Sequence, residues 1–369
     1  MFPENDEDIA GVYTLDYIRA VQPFCDVEVF YPRLSGAPGM LTEDDPRGFR
    51  IHRFHLMEGA GGWLKKVHYV RWFSRALNEA KKLGPFDLIH AHGPLLHGNL
   101  AVQLGKSQNI PVIISVHTGP FSVISKNVFY RRMTARSLYL ADLTLPVSKH
   151  LSAEIEASGI HPSKVKVSGN PVNDELFQLA DRSEQRKLMI FVSRLDEFKG
   201  GLRTLQAFHQ ALPKLSGWRL AIAGVGEELE KIERYVALHG LHDSVRITGT
   251  LTKESLHLLM IGSDFLVFPS RHETFGLIAQ EALVTGMPVI AGNTTALDEL
   301  IDDDMGIKVN PDSVEEITEA MIALAEHPEK FDGAAIREKV VQKFGIAEFG
   351  SYLQDLYKEV IAQCAELQE

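Results

Sequence analysis

Short apolar runs recur along the whole chain, most of them apolar at every position rather than at every second one, and amphipathic stretches lie between them. Strands of this kind are typical of parallel sheets that are covered on both faces. Repeated strand–helix–strand units therefore predict doubly wound α/β sheets. The predicted strands form two series, 27–31, 87–91, 112–116, 143–147 and 165–168 in the first and 188–193, 219–223, 245–248, 265–269, 289–291 and 307–309 in the second.

Two series of strands predict two domains, which a length of 369 residues also favours. The break lies near residues 170–185, where turn residues precede a polar run. We predict one Rossmann-like domain over 1–175 and another over 176–344, and we expect the helical stretch 345–369 to rejoin the first. Two such sheets facing one another leave a central cleft at the carboxyl ends of their strands, where open α/β sheets bind ligands.

The charge balance limits the classes of partner. The chain carries 38 basic and 49 acidic residues and a formal net charge of −11, whereas nucleic-acid binding depends on many cationic contacts to phosphates. We therefore predict no nucleic-acid partner. Residues 1–180 are nearly neutral, with 19 Lys and Arg against 18 Asp and Glu, so the excess of acid lies in the second half.

Cysteine usage and hydropathy favour a cytoplasmic location. Two cysteines, Cys25 and Cys364, stand far apart, and no closely spaced Cys/His pattern indicates a metal site. No run approaches the about 18 consecutive apolar residues that a transmembrane helix requires. The first residues are acidic and lack the apolar core of a secretory signal.

Two carboxylates stand out in the stretch 270–290, SRHETFGLIAQEALVTGMPVI. Glu273 follows a predicted strand, and Glu281 falls within the helix that comes next. The free N–H groups at such a helix start suit a phosphate, Glu281 could accept both hydroxyls of a ribose, and Glu273 suits sugar hydroxyls or a developing cationic sugar carbon. Each acid alone has an ordinary alternative: an exposed helix glutamate for Glu281, and an acid favoured by the helix dipole for Glu273.

Two cations, Arg194 and Lys199, leave the predicted strand 188–193 on one loop. An arginine fork and a lysine point charge at this spacing could clamp a diphosphate. The alternative is a solvated loop, in which Asp196 and Glu197 partner the two cations.

These residues together resemble glycosyltransferase family 4. The resemblance rests on Arg194 and Lys199, on the Glu-x7-Glu motif, and on the following 286–290 segment GMPVI, and it extends over nearly the whole chain. The family consists of retaining enzymes with nucleotide-sugar donors and the two-domain GT-B fold. The resemblance implies Arg194 and Lys199 on the donor diphosphate, Glu281 on the ribose, and Glu273 with Phe275, Gly276 and Leu277 at the donor's diphosphate and sugar.

Three further positions take their roles from the same resemblance. His117 follows the predicted strand 112–116 and is expected near the donor sugar and the reacting centre, which makes it a catalytic candidate beside Glu273; the alternative is an ordinary loop histidine. Gly11 is expected near the donor phosphates. The turn Gly249-Thr250-Leu251 is expected to frame the base through backbone groups.

Two other motifs have ordinary explanations. Gly224-Val225-Gly226 follows a strand but lacks the third glycine of a dinucleotide fingerprint, so we predict a tight strand-to-helix turn. His90 and His92 have no evident third ligand, and packing is expected rather than metal binding.

The start of the chain departs from the family pattern. The family opens with a strand followed by paired glycines, whereas here Met1-Phe2-Pro3 stands where that strand should end, and the pair is reduced to Ala10-Gly11. We predict that the first strand of the N-terminal sheet is missing, or that the true start lies upstream.

The predicted function is the transfer of a sugar from a nucleotide-diphosphate sugar to an acceptor hydroxyl, with retention. Because no nucleophile stands out, a front-face departure of the diphosphate is expected, and because fixed cations can neutralise it, no metal or other cofactor is required. One alternative is a nucleotide-sugar epimerase, for which only Glu273 and His117 are acid/base candidates. Another is a non-catalytic nucleotide-sugar-binding protein.

Basic residues interleave with aromatic residues over 63–82 and 126–136. Helices of this composition can lie at an anionic membrane surface, which would suit a peripheral location at the inner membrane face and a lipid-linked glycan as acceptor. The alternatives are an ordinary surface helix with its aromatics in the core, and a glycan acceptor without a lipid.

Overall fold

The computed structural model describes residues 11, 13–33, 39–55 and 64–366. Strands and helices alternate through most of this part of the chain. The strands are β1 (Glu28–Arg33), β2 (Gly39–Asp45), β3 (Phe49–His55), β4 (Ile89–His92), β5 (Val112–Val116), β6 (Leu143–Pro146), β7 (Leu188–Val192), β8 (Arg219–Ala223), β9 (Val245–Gly249), β10 (Phe265–Phe268), β11 (Val289–Gly292) and β12 (Gly306–Val309). The α-helices are α1 (Tyr13–Val21), α2 (Leu64–Ala80), α3 (Leu96–Gln108), α4 (Phe121–Lys126), α5 (Val128–Leu140), α6 (Lys149–Ala157), α7 (Gly201–Ala211), α8 (Leu229–Leu238), α9 (Lys253–Ile261), α10 (Leu277–Val284), α11 (Thr295–Leu300), α12 (Val314–Glu326), α13 (Gly333–Phe344) and α14 (Ile346–Glu366).

The chain divides into two compact units. The first runs to Val147 and also contains Leu151–Gly169 and the residues from Phe349 onward, whereas the second contains Ser148–His150 and Asn170–Glu348. The principal junctions fall between Gly169 and Asn170 and between Glu348 and Phe349, and the predicted domain limits were 175/176 and 344/345. Each unit has parallel strands joined by helices, so the predicted α/β class with two Rossmann-like domains is confirmed.

The second unit contains a six-stranded sheet in the order β12-β11-β10-β7-β8-β9, and every neighbouring pair in it is parallel. Strands β7, β10 and β11 are apolar at every position because helices cover both faces of the sheet. Phe191 of β7, Phe208 of α7 and Phe265 of β10 are fully buried in one core. The Trp218 ring joins them, with its centroid 5.3 Å from that of Phe265.

The first unit contains two three-stranded sheets. One has the order β4-β5-β6 with both pairs parallel, and the other has the order β1-β3-β2, in which β1 is parallel and β2 antiparallel to β3. Helix α1 packs on the β1–β3 sheet through Leu15 and Ile18. The prediction of a missing first strand concerns residues 1–10, which lie outside the described residues.

The β2–β3 hairpin is absent from the predicted strands. Residues of opposite charge pair across its strands, with Arg50 bound to the directly opposite Asp44 at 3.0 Å and Arg53 to the diagonal neighbour Glu43 at 2.6 Å. Ion pairs of this kind stabilise a partly solvated pair of strands that contains no continuous apolar run. Strands β2 and β3 were therefore not predicted, because the prediction relied on apolar runs.

The predicted strand 165–168 is wrong as a strand. The segment runs beside β6, where Lys166 and Ser168 donate backbone hydrogen bonds to Thr144 and Pro146, but only Val165 forms a bridge. Val165 and Val167 are exposed, so this segment has no cover on its outer face.

The last helix, α14, packs within the first unit. The Phe349 ring lies edge-on to Tyr17 of α1 at 5.3 Å, and the Tyr357 hydroxyl lies 2.7 Å from His90 Nδ1 of β4. In the part of the chain that the structure describes, no helix combines the length and the apolarity needed to cross a membrane.

Candidate functional site

The loop after β7 is held tightly against its neighbour. Leu195 N–H donates to Val225 O at 2.9 Å, and a Cβ on Gly224 would lie 1.8 Å from Ser193 O. Only glycine permits so close an approach of two backbones. The Gly224-Val225-Gly226 segment is thus a strand-to-helix turn, as predicted, and it supports the loop that carries Arg194 and Lys199.

Lys199 and Glu273 form an ion pair between the loops that follow β7 and β10. Lys199 Nζ donates to Glu273 Oε1 at 2.5 Å and to His272 O at 3.3 Å. The two side chains are only 19 % and 13 % exposed, which reduces the screening of their charges by solvent. Adjacent parallel strands bring these loops together because their carboxyl ends lie at one edge of the sheet.

Arg194 has a different environment. Its side chain is 73 % exposed and its Nε donates to Asp196 Oδ2 at 2.5 Å. The solvated-loop alternative therefore describes Arg194 in this structure, whereas Lys199 is paired with Glu273 rather than with an acid of its own loop. The side chains of the two cations thus bind different acids, Asp196 and Glu273.

The turn from Glu273 to Leu277 places a helix start beside this ion pair. Gly276 precedes α10 with φ 94°, and a Cβ there would lie 2.5 Å from Leu297 Cδ2. The Phe275 ring is buried edge-on against Phe344 at 5.4 Å, so only its backbone can address a ligand. The N–H groups at the start of α10 form the positive end of the helix dipole.

Glu281 is 5 % exposed, so the alternative of an exposed helix glutamate is wrong. Its Oε1 accepts a hydrogen bond from Lys253 Nζ, and the two groups form an ion pair. The Lys253 ammonium also lies 5.7 Å from the centre of the Phe177 ring. A carboxylate taken this far out of water requires such a partner.

The sequence analysis did not identify Lys253 as a site residue. It is the first residue of α9 and follows the turn predicted to frame the base, which is the signal that could have identified it. In that turn Gly249 has φ 70°, and a Cβ on it would meet nothing within 4 Å. Thr250 is exposed and Leu251 half-buried, which leaves the turn accessible to a ligand.

The remaining candidates, Gly11 and His117, belong to the first unit. Gly11 is buried with φ 85°, and its carbonyl accepts from Thr14 N at 2.9 Å and from Thr14 Oγ1 at 2.6 Å at the start of α1. His117 directly follows β5, and its Nε2 lies 3.0 Å from His92 Nδ1. The Tyr13 ring lies 4.4 Å from the His117 ring.

His90 and His92 were expected to be packing residues, but both make side-chain hydrogen bonds. Burial lowers the pKa of His90 from 6.5 to about 4 and lowers the pKa of His92 well below its usual value. Both rings are therefore neutral at pH 7. The alternation His-x-His on β4, beside Ser-x-His on β5 and its exit, is the sequence signal that could have linked them to His117.

The second unit thus brings together Lys199, Glu273, Glu281 and the start of α10. A cation, a helix N-terminus and a buried carboxylate lie at the carboxyl edge of one parallel sheet, a combination that suits an anionic ligand bearing hydroxyl groups.

Family models match both halves of the chain. Residues 10–176 match the model of Glycosyltransferase Family 4, and residues 172–338 match that of Glycosyl transferases group 1. Both halves of the chain are therefore similar to glycosyltransferases, and the two parallel α/β units have the fold of the GT-B class. Within that class it is similar to glycosyltransferase family 4.

Relatives and solved structures agree with this class. GDP-mannose:cellobiosyl-diphosphopolyprenol alpha-mannosyltransferase of Xanthomonas oryzae is 26 % identical over 248 residues, which are 65 % of this chain and 65 % of that protein. An uncharacterized glycosyltransferase of Methanocaldococcus jannaschii is 29 % identical over 68 % of this chain and 71 % of its own. The chain thus matches somewhat less than two thirds of the first relative's length.

Among solved structures, sucrose-phosphate synthase from Thermosynechococcus elongatus superposes with a TM-score of 0.77 at 20 % identity, over 96 % of this chain and 94 % of that one. Anabaena HepE in complex with UDP gives a TM-score of 0.75 at 16 % identity, over 96 % and 97 % of the two chains. At these identities the likeness establishes the fold alone.

Proposed function

We propose that the protein transfers a sugar from a nucleoside-diphosphate sugar to an acceptor hydroxyl with retention of configuration. The observation that carries this proposal is the Lys199–Glu273 ion pair beside the N-terminus of α10. It joins a group that can bind a diphosphate to a group that can bind a sugar, and Glu281 lies in the same helix. The solved complex of HepE with UDP supports a uridine nucleotide as one class of donor to test.

Each group has one part of the donor to bind. Lys199 and the N–H groups of α10 hold the diphosphate, and Glu281 holds the ribose while Lys253 keeps its carboxylate in place. Gly249, Thr250 and Leu251 frame the base through their backbone. Because the diphosphate meets a fixed cation and a helix dipole, we propose that no divalent metal is required.

The state of Glu273 supports a front-face departure. Its Oε1 already accepts a hydrogen bond from the Lys199 ammonium, and an ion-paired carboxylate is a weak nucleophile. We therefore assign Glu273 to the sugar rather than to a covalent intermediate. The bond from the anomeric carbon to the diphosphate oxygen breaks, the acceptor oxygen attacks from the same face, and the leaving phosphate takes the acceptor proton.

A donor screen followed by product analysis tests this function. Thermal shifts with UDP-, GDP- and ADP-sugars identify the donor, and transfer to glycan acceptors is then followed by NMR of the new anomeric centre. We expect acceptor-dependent transfer with the donor's configuration. Epimerised nucleotide sugar formed without acceptor would identify an isomerase, and donor binding without hydrolysis or transfer would identify a binding protein.

We also propose a lipid-linked acceptor and peripheral contact with an anionic membrane. The name of the Xanthomonas relative specifies a diphosphopolyprenol acceptor. The described stretch 118–141, which contains α4 and α5, has four basic residues and no acidic residue. Its exposed apolar side chains include Val123, Val128, Phe129 and Tyr130 beside exposed Lys126, Arg131 and Arg132.

Such a surface combines apolar insertion with attraction to anionic lipid, about 1 kcal/mol for each basic residue near the surface. The sequence also predicted a membrane-binding helix over 63–82. Residue 63 and the side chains of residues 64–71 lie outside the described part of the chain. In the rest of this stretch Trp72 is buried, as the core-aromatic alternative expects, whereas Arg75 is exposed.

Vesicle sedimentation tests the membrane proposal. The Lys126→Glu/Arg131→Glu/Arg132→Glu variant should lose salt-sensitive binding to vesicles that contain phosphatidylglycerol. The Lys214→Glu/Lys231→Glu/Arg234→Glu variant makes the same change of charge at exposed positions of the second unit and should keep it. Equal losses in the two variants, or no binding of the wild type at low salt, would contradict a membrane-binding surface on α4 and α5.

A further inference from the structure

Polar side chains line one face of two adjacent parallel strands in the first unit. His90 and His92 lie two residues apart on β4, and in the register of the sheet His92 stands opposite Ser115 of β5. Because side chains two residues apart share a face, the histidines of β4 come together with Ser115 and His117. The rings form a ladder, with centroids 4.7 Å apart from His90 to His92 and 5.2 Å apart from His92 to His117.

Hydrogen bonds fix this ladder from its inner end. His90 Nδ1 lies 2.7 Å from the Tyr357 hydroxyl and His90 Nε2 lies 2.8 Å from Ser115 Oγ, so both nitrogens of this ring are held. His92 stacks on the held ring and forms the 3.0 Å hydrogen bond from its Nδ1 to His117 Nε2. The orientation of the His92 ring is therefore set by its stacking on His90.

The His92–His117 bond also constrains the proton on each ring. A neutral imidazole carries one N–H, so a hydrogen bond between two ring nitrogens requires one donor and one acceptor. Burial keeps His92 neutral, and its tautomer then selects the complementary state of His117 Nε2. The Tyr13 ring limits the tilt of His117, but ring packing cannot distinguish one nitrogen from the other.

We propose that His92 is a positioning residue that fixes the ring orientation and the tautomer of His117. This inference rests on the proposed function and on the family resemblance, which places His117 near the donor sugar. His92 acts only through His117, and Ser115 and Tyr357 act through His90.

Two substitutions separate the hydrogen bond from the packing. His92→Phe keeps a flat ring for the ladder but removes the hydrogen bond. His92→Asn loses the ring but places an amide where Nδ1 stood. We expect His92→Phe to lower kcat by about 10- to 100-fold with the KM for the donor within about threefold, and His92→Asn to recover most of the rate. His209→Phe, which removes a histidine bound to Tyr235 in the second unit, should keep the wild-type kcat.

Nitrogen-15 NMR of the imidazoles supplies a readout that does not depend on turnover. The His117 signals, assigned by their loss in His117→Gln, should report one tautomer in the wild type and a mixture in His92→Phe. Melting temperature and nucleotide affinity control for folding.

An unchanged tautomer and kcat in folded His92→Phe, or an Asn variant no faster than the Phe variant, would overturn the proposal. If His117→Ala transfers sugar normally, the role of His117 in the proposed function fails, while the tautomer measurement still decides whether His92 positions it.

Discussion

Lys199 Nζ lies 2.5 Å from Glu273 Oε1 although 74 residues separate them in the chain. The cation that the family resemblance assigns to the diphosphate and the acid that it assigns to the sugar are therefore hydrogen-bonded to each other. A donor must share the Lys199 charge with Glu273, so each residue influences how the other meets its part of the ligand.

Lys199→Met should weaken the binding of donor and free nucleoside diphosphate together, on the order of 1.5–3 kcal/mol, because a charge-assisted contact is lost. Arg194→Met is the matched control. It removes an exposed cation that is already paired with Asp196, and should cost under about 1 kcal/mol. Isothermal titration with the identified nucleotide measures both, and an Arg194 effect as large as that of Lys199 would restore the two-cation clamp.

Glu281→Gln and Glu273→Gln should separate ribose binding from sugar transfer. Glu281→Gln should weaken the donor and the free nucleotide about equally, since both contain the ribose, whereas Glu273→Gln should mainly lower kcat. Lys253→Met removes the partner of Glu281 and should resemble Glu281→Gln in nucleotide affinity. Equal losses of nucleotide affinity in Glu273→Gln and Glu281→Gln would refute this division.

Gly276→Ala should destabilise the second unit by about 1–3 kcal/mol, because its Cβ would meet Leu297 Cδ2 at 2.5 Å with φ at 94°. Gly249→Ala is the matched control, since φ there is also positive but the Cβ would meet nothing within 4 Å, so the strain is limited to about 1–2 kcal/mol. Urea unfolding at equilibrium compares the two. The comparison concerns stability only, because Gly249 belongs to the turn proposed to frame the base; Gly276→Ala should in addition shift the start of α10.

Stability should fall as the pH drops from about 6.5 towards 4. Burial lowers the pKa of His90 to about 4, so below its usual value of 6.5 the unfolded chain binds a proton that the folded chain does not. Between pH 7 and pH 5 this histidine should cost up to about 2 kcal/mol of unfolding free energy. Urea unfolding of His90→Asn should show a smaller loss over this range than the wild type, with a substitution of exposed His242 as control. The same loss in His90→Asn would assign the acid sensitivity to other groups.

The apolar runs predicted the parallel strands well because burial on both faces of a sheet requires apolar residues at nearly every position of a strand. All six strands of the second unit lie where the runs placed them, to within a residue at most ends. The β2–β3 hairpin escaped because polar and charged residues, such as Arg53 paired with Glu43, interrupt its apolar residues, so neither strand contains a continuous apolar run although Phe49, Ile51 and Phe54 of β3 are buried. A pattern of polarity within one strand cannot identify a partner on the next.

The sequence likewise predicted some residues of the candidate site and not others. Motif spacing identified Lys199, Glu273 and Glu281, which the structure places along one sheet edge. Lys253 was not singled out and His92 was assigned to packing because the importance of each comes from a partner elsewhere in the chain, 28 residues away for Lys253 and 25 for His92. The position of Lys253 after the base-framing turn and the His-x-His alternation on β4 are local signals, but neither identifies the distant partner.

The position of α14 bears on the order in which the protein is completed during synthesis. Tyr357, 267 residues beyond His90, supplies the hydroxyl that holds the inner end of the histidine ladder, and Phe349 packs on Tyr17. The unit that begins to emerge first from the ribosome therefore cannot finish its core until these late residues have followed, after the whole of the second unit's sheet has already been translated. Its nascent strands and α1 must remain unaggregated for that interval, whereas all the strands of the second unit's sheet become available within one uninterrupted stretch of translation.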